Sequence, residues 1–190
     1  MFNFIDGLDQ AFMLWLHQFG GNIVLDYLAM MMAFLGDKGL IWLLPAIIML
    51  FFKKYRHIGI LIIISMAITA LEVELLKNIV ARPRPYVTLG FDDMLVNENP
   101  FKSFPSGHAS SAFAAAIIYA KFFKKYRWGF IGFAILMLVS RLYLFVHYPS
   151  DVLVGTAIGI INALLVYTIY QHRAKIKQII FREDLKNTEV

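Results

Sequence analysis

Five apolar runs, at roughly 38–53, 57–77, 107–123, 128–146 and 150–171, dominate the chain and are separated by short basic or polar stretches. About 20 apolar residues cross the hydrocarbon core of a bilayer, and about 17 is the lower limit. The first run is short, and Lys38 at its start can snorkel to lengthen it. Lipid offers no hydrogen-bond partner to a bare backbone, so only helices and closed barrels span it. These runs lack the alternation of barrel strands. The composition agrees: 59% of the 190 residues are hydrophobic, where about 45–50% is usual in soluble domains. The mean hydropathy is +0.65. The expectation is an all-α integral membrane protein, a bundle of five to six transmembrane helices in a single domain.

Residues 1–37 are expected to be peripheral to the core at 38–171. Phe4, Ile5, Leu8, Phe12, Leu16 and Phe19 recur at helical spacing, with Asp6, Asp9 and Gln10 between them, which describes an amphipathic interfacial helix. Asn22 to Leu35 is apolar but short, a length that suits a partial or re-entrant segment better than a span, and a sixth crossing here stays open. Asp26 and Asp37 suggest nothing beyond solvation. No basic n-region and apolar h-region with a small-residue cleavage site opens the chain, so no cleaved signal peptide is expected. The chain has no cysteine, which excludes disulfides, thiol chemistry and cysteine metal sites.

The net charge of +5 fits a nucleic-acid binder by sign alone. Its distribution fits membrane orientation better. Lys53, Lys54 and Arg56 lie between the first two runs, and Lys121, Lys124, Lys125 and Arg127 between the third and fourth. Arg173, Lys175, Lys177 and Arg182 populate the tail at 172–190. The positive-inside rule makes these three regions cytoplasmic, the C-terminus included. The opposite, extracytoplasmic side then carries Lys77, Arg82, Arg84 and Arg141 against the rule. Cations kept on that side call for an anionic partner.

Three short segments share that side. In Pro105-Ser106-Gly107-His108, Ser106 precedes an Ala-rich run and reads as a helix N-cap. Free N–H groups and the helix dipole make such a start an anion site, and Gly107 lets a phosphate approach the backbone. Alone, the tetrapeptide reads more simply as an ordinary cap beside a bystander histidine. In His147-Tyr-Pro-Ser-Asp151, Pro149 suits a first helical turn and Asp151 lies one turn past His147. A carboxylate there can accept a proton from one imidazole nitrogen and leave the other as a nucleophile. Alone, the pair reads more simply as a surface histidine and a helix-stabilising aspartate. Arg141 lies inside an apolar run, Lys77 ends one, and Arg84 stands between two prolines. One such cation is ordinarily snorkelling; three beside two histidines suit phosphate oxygens. Glu74, three residues before Lys77, is placed to pair with it, and Glu72 faces elsewhere. The two either orient Lys77 or balance charge in the bundle. His108, His147 and Asp151 also make a two-histidine, one-carboxylate set, but the nearby cations would repel a metal, so no metal is assigned.

Together these residues resemble the phosphatidic acid phosphatase type 2 superfamily. That family carries K-x6-R-P, then P-S-G-H, then S-R-x5-H-x3-D. Here these are Lys77 to Arg84-Pro85, Pro105 to His108, and Ser140-Arg141 with His147 and Asp151. The resemblance covers about residues 38–171. It implies that His147 attacks phosphorus to form a phosphohistidine, supported by Asp151, while His108 protonates the leaving oxygen and later activates water. Lys77, Arg84, Arg141, Ser106 and Gly107 would hold the phosphoryl oxygens. Arg82 and Glu74 would be accessory. No cofactor or metal is required.

The reading is a hydrolase on lipid phosphates or diphosphates at the extracytoplasmic membrane face. Undecaprenyl diphosphate or phosphatidylglycerol phosphate is the expected substrate, with phosphatidate and diacylglycerol pyrophosphate as alternatives. A phosphotransferase using the same histidine, or a non-enzymatic lipid-phosphate binder or carrier, would share most of these residues. A soluble phosphatase or haloperoxidase is disfavoured by the apolar runs. The expected partners are the bilayer and the lipid, with no nucleic acid. The loop 86–104, acidic through Asp92, Asp93 and Glu98, is either a lid or a connector.

Overall fold

The computed structural model describes the backbone of residues 2–91 and 94–188, and side chains over 4–91 and 94–173. Asp92, Asp93 and the side chains of Lys175, Lys177 and Arg182 lie outside them. The described chain is helical, with no strand among the described residues. In order come α1 (Phe2–His17), α2 (Ile23–Gly36), α3 (Leu40–Leu50), α4 (Arg56–Val80), α5 (Pro85–Leu89), α6 (Gly107–Phe122), α7 (Arg127–Tyr143) and α8 (Pro149–Thr188).

Among the described residues, three helical segments are long and apolar enough to cross a membrane: Ile23–Leu50, Arg56–Leu89 and Pro149–Arg173. The first joins two stretches that the sequence presents separately, the short apolar segment after Asn22 and the run from 38. The join is a kink, not a loop. Lys38 and Gly39 take φ of 50° and 69°, which breaks the helix and lets it restart at once. Two short segments thus share one path of 28 residues. The last run also differs from its expected end at 171: α8 continues as helix to Thr188.

α6 is the hub. It is rich in alanine, and Ala109, Ala112, Ala114, Ala115 and Ala116 are all fully buried. Small side chains let neighbouring helices approach its backbone. α8 answers with Gly155 and Gly159, four apart on one face. A Cβ at Gly155 would lie 2.5 Å from the Ser106 carbonyl oxygen, and one at Gly159 would lie 2.9 Å from the Ala114 nitrogen and closer still to the Ser110 carbonyl oxygen. The start of α8 is therefore held directly against the start of α6, and the Ser106 N–H donates to the Asp151 carbonyl at 3.0 Å.

α1 is inverted relative to a soluble amphipathic helix. Phe4, Leu8 and Trp15 are exposed, while Asp9 and Met13 are buried. Asp26 on α2 likewise does more than meet solvent, because Tyr143 on α7 donates its hydroxyl to it at 2.6 Å.

Replacing Gly159 with Ala forces α8 away from α6. The expected loss is about 1–3 kcal/mol, the usual cost of overpacking, read as a lower midpoint of thermal unfolding in detergent.

Candidate active site

The segments singled out in the sequence meet at one end of the bundle. Arg84 caps the start of α5, where a proline on each side restricts its backbone. It is 1% exposed, as is Arg141 in the last turn of α7. Arg84 donates from Nε to the Asn99 carbonyl at 2.6 Å and from Nη1 to the Val146 carbonyl at 2.6 Å. Its Nη2 reaches Glu98 Oε2 at 2.9 Å. The other Glu98 oxygen accepts from Arg141 Nη2. One carboxylate therefore bridges two buried guanidiniums. Burial disfavours ionised Glu98, but Arg141 and Arg84 outweigh that and hold its pKa below the usual glutamate range.

His147 stands beside this bridge, in the turn between α7 and α8. Its Nε2 lies 3.4 Å from Arg84 Nη1, and its Nδ1 faces Asp151 Oδ2 at 3.8 Å. The latter is ion-pair range, longer than a hydrogen bond. Nδ1 is buried without a hydrogen-bond partner. Oδ2 is engaged elsewhere, accepting from Ser103 Oγ at 2.5 Å and the Tyr148 N–H at 2.9 Å. Burial pushes the His147 pKa down to about 3; Asp151 opposes the shift, and Arg84 and Arg141 add to it. A neutral imidazole keeps a lone pair for attack.

Asp151, fully buried, is held on its other side as well. Arg82 donates from Nη1 to Asp151 Oδ1 at 2.6 Å and to Ser150 Oγ at 2.8 Å. Its Nη2 reaches Asp6 Oδ1 at 2.6 Å and Asp9 Oδ2 at 2.8 Å. The guanidinium lies 4.1 Å from the centre of the Tyr148 ring.

His108 follows the cap. Ser106 Oγ accepts from the Ala109 N–H at 3.5 Å, as an N-cap does. The Ser106 N–H is taken by Asp151, so the N–H groups left at the start of α6 are those of Gly107 and His108. His108 Nε2 lies 3.1 Å from the Ala33 carbonyl of α2. A Cβ on Gly36 would sit 2.6 Å from the His108 ring, so the glycine makes room for it.

Lys77 borders the site and donates to the Lys102 carbonyl at 2.8 Å. The expected Glu74–Lys77 pair is not formed: Glu74 accepts from Lys102 Nζ at 2.6 Å and from Asn78. Lys102 comes from the loop and reaches Glu74 from outside the helix. Glu72 accepts from Asn162 of α8 at 2.6 Å. A cavity of about 640 Å³ runs from Lys77, Gly107 and His108 along Leu43, Ile63 and Met66.

Sequence reasoning reached the cations, both histidines and Asp151. It missed Glu98 as a bridge, Ser103 as a partner of Asp151, and Asp9, Ala33 and Gly36 from the segment expected to be peripheral. The i, i+3 spacing of Asp6 and Asp9 was the available signal for a shared cation.

Residues 58–175 match the model of the PAP2 superfamily. An undecaprenyl-diphosphatase of Sulfolobus acidocaldarius is 33% identical over 133 residues, 68% of this chain and 64% of that protein. The chain thus spans less than two thirds of that relative's length. A crystal structure of Aquifex aeolicus LpxE superposes with a TM-score of 0.75 at 28% identity, covering 85% of this chain and 95% of that one. The transmembrane PAP2-type phosphatidylglycerolphosphate phosphatase of Bacillus subtilis superposes with a TM-score of 0.72 at 27% identity, covering 90% and 88%.

Because the folded pKa of Glu98 is lowered, its bridge contributes stability above the unfolded value of about 4.3. That contribution is lost as pH falls through the folded value. Glu98→Gln should therefore unfold at a lower temperature than wild type at pH 6, and the gap should narrow as pH falls below the unfolded value of about 4.3 and toward the lower folded one.

Proposed function

The chain belongs to the PAP2 superfamily, and from that premise we propose that it is an integral membrane phosphatase acting on lipid phosphates or diphosphates without a metal, through a phosphohistidine on His147. One observation carries this reading. The buried Arg84 and Arg141 hold a carboxylate between them beside His147 Nε2. That is a seat for oxyanion oxygens next to a neutral imidazole. A phosphoryl group takes over the seat as Glu98 swings out.

Neutral His147 attacks phosphorus through Nε2. The P–N bond forms as the bond to the lipid oxygen breaks, and that oxygen takes a proton from His108. Asp151 stabilises the positive charge that develops on the ring. Neutral His108 then removes a proton from water, the new oxygen bonds to phosphorus, and His147 leaves neutral. Arg84 and Arg141 bind the equatorial oxygens as charge shifts between them, with Lys77 and the N–H groups at the start of α6 lining the approach. The residues fit this work without a cofactor.

The cavity beside His108 supports a lipid. Its polar end suits a headgroup, and its Leu43, Ile63 and Met66 end suits an acyl or prenyl chain. The bundle is read as five spans, with Ile23–Leu50 as the first, and with α1 in the interface, its exposed Phe4, Leu8 and Trp15 toward lipid. The basic stretches at 53–56 and 121–127 favour a cytoplasmic C-terminus and an extracytoplasmic site. Undecaprenyl diphosphate and phosphatidylglycerol phosphate are the preferred substrates.

Purified protein in detergent with EDTA should release phosphate from one of these two lipids. His147→Ala should lower the rate by about a thousandfold or more. Persistence in the variant would remove the histidine mechanism, and retention of lipid binding without turnover in wild type would favour a carrier. Transfer to an added alcohol in place of water would identify a phosphotransferase. With the internal anion gone, Glu98→Gln should bind orthovanadate about threefold tighter or better, read by inhibition of phosphate release.

A further inference from the structure

The α1 helix lies outside the matched residues 58–175, yet its polar face is turned into the site. Asp9 is 4% exposed. A buried carboxylate is costly unless it is paired and hydrogen-bonded, and Asp9 is both. Its Oδ1 accepts the Ser150 N–H at 3.1 Å, and its Oδ2 accepts from Ser150 Oγ and from Arg82 Nη2 at 2.8 Å. Arg82 in turn grips Asp151 Oδ1 at 2.6 Å. Asp9 and Asp151 are thus joined through one guanidinium, and Asp9 also holds the first turn of α8, on which Asp151 is mounted.

We propose that Asp9 is a positioning residue of the reaction: through Arg82 and Ser150 it sets the place and the effective charge of Asp151 behind His147. The inference rests on the phosphohistidine reading above.

The physical argument is electrostatic. Asp151 must meet the positive charge that grows on the His147 ring as Nε2 bonds to phosphorus. Arg82 alone, 2.6 Å away, would cancel much of that carboxylate's charge. Asp9, together with the half-exposed Asp6, turns the guanidinium toward itself as well. With three carboxylates around one guanidinium, the cluster keeps a net negative charge facing His147. Arg82 then works as a rigid fork that fixes the angle of Asp151 without neutralising it. The Tyr148 ring against the guanidinium closes off its remaining face. Substrate binding does not involve this cluster, since the oxyanion seat is built by Arg84 and Arg141 on the other side of His147.

The expected signature is therefore in the chemical step. Asp9→Asn keeps the shape and removes the charge. On undecaprenyl diphosphate and phosphatidylglycerol phosphate it should lower kcat by about tenfold to a hundredfold, with KM within about twofold of wild type. Asp9→Glu, which restores the charge, should recover part of kcat. The double variant Asp9→Asn/Arg82→Gln should lose less than the product of the two single losses, because the two residues share one contact. A wild-type kcat in Asp9→Asn, with or without a lower unfolding temperature, overturns the proposal, as do independent, multiplying losses in the double variant. If Asp9→Asn is not recovered folded, Arg82→Gln decides, and a wild-type kcat there overturns the proposal, since Arg82 is the link from Asp9 to Asp151. His147→Ala run in parallel separates the two readings. Full activity there rejects the phosphohistidine itself, whereas its loss with an unchanged Asp9→Asn rejects only the role of α1.

Discussion

Two guanidiniums buried at one end of an apolar bundle set the terms for everything near them. Arg84 and Arg141 are each 1% exposed, and a charge in such surroundings must be paired or it destabilises the fold by several kcal/mol. Arg84 uses two backbone carbonyls and Arg141 uses Glu98. The shared Glu98 carboxylate is the one partner that can be exchanged without unfolding the scaffold. Glu98 contributes a side chain, which can rotate away, whereas the Asn99 and Val146 carbonyls are backbone atoms. A cationic seat that is obligatory, beside a counter-ion that can move, is the physical basis for reading the place as an oxyanion site.

The scaffold that holds the seat depends on small residues. Gly155 and Gly159 let α8 close on α6, and the alanines of α6 let the surrounding helices do the same. Without that approach the Ser106 cap and the Asp151 turn could not share a backbone hydrogen bond. The turn that carries His147 and the helix start that carries His108 would then move apart. Packing at the glycine face and the placement of the two histidines are therefore one constraint expressed at two levels.

The N-terminal segment contributes more than its composition suggests. α1 meets Asp151 through Arg82, and α2 meets His108 through the Ala33 carbonyl and the gap at Gly36. Helices that precede the matched family region thus reach the surroundings of both histidines. An amphipathic helix with its aspartates inward and its aromatics outward is natural in lipid, where the apolar side loses nothing by exposure. In water the same helix would have been read the opposite way.

Helix content and membrane character were legible in the chain because apolar length and period are local properties. That Lys77, Arg84, His108, Arg141, His147 and Asp151 belong together was legible for a similar reason: their order and spacing survive in one dimension. The Glu98 bridge, the Ser103 contact and the Asp9 anchor were not, since each joins residues 43, 48 and 141 positions apart. Nothing in a linear pattern sets such distances. The expected Glu74–Lys77 pair failed because helical spacing permits a contact without deciding between it and a better one from a loop. Sequence by itself determined a helical membrane bundle and the inventory of charges and imidazoles at one end. Only the tertiary structure decided which anion rests between the arginines and which helices aim each histidine. Those outcomes follow from close packing of distant segments, where fractions of an ångström choose the partner.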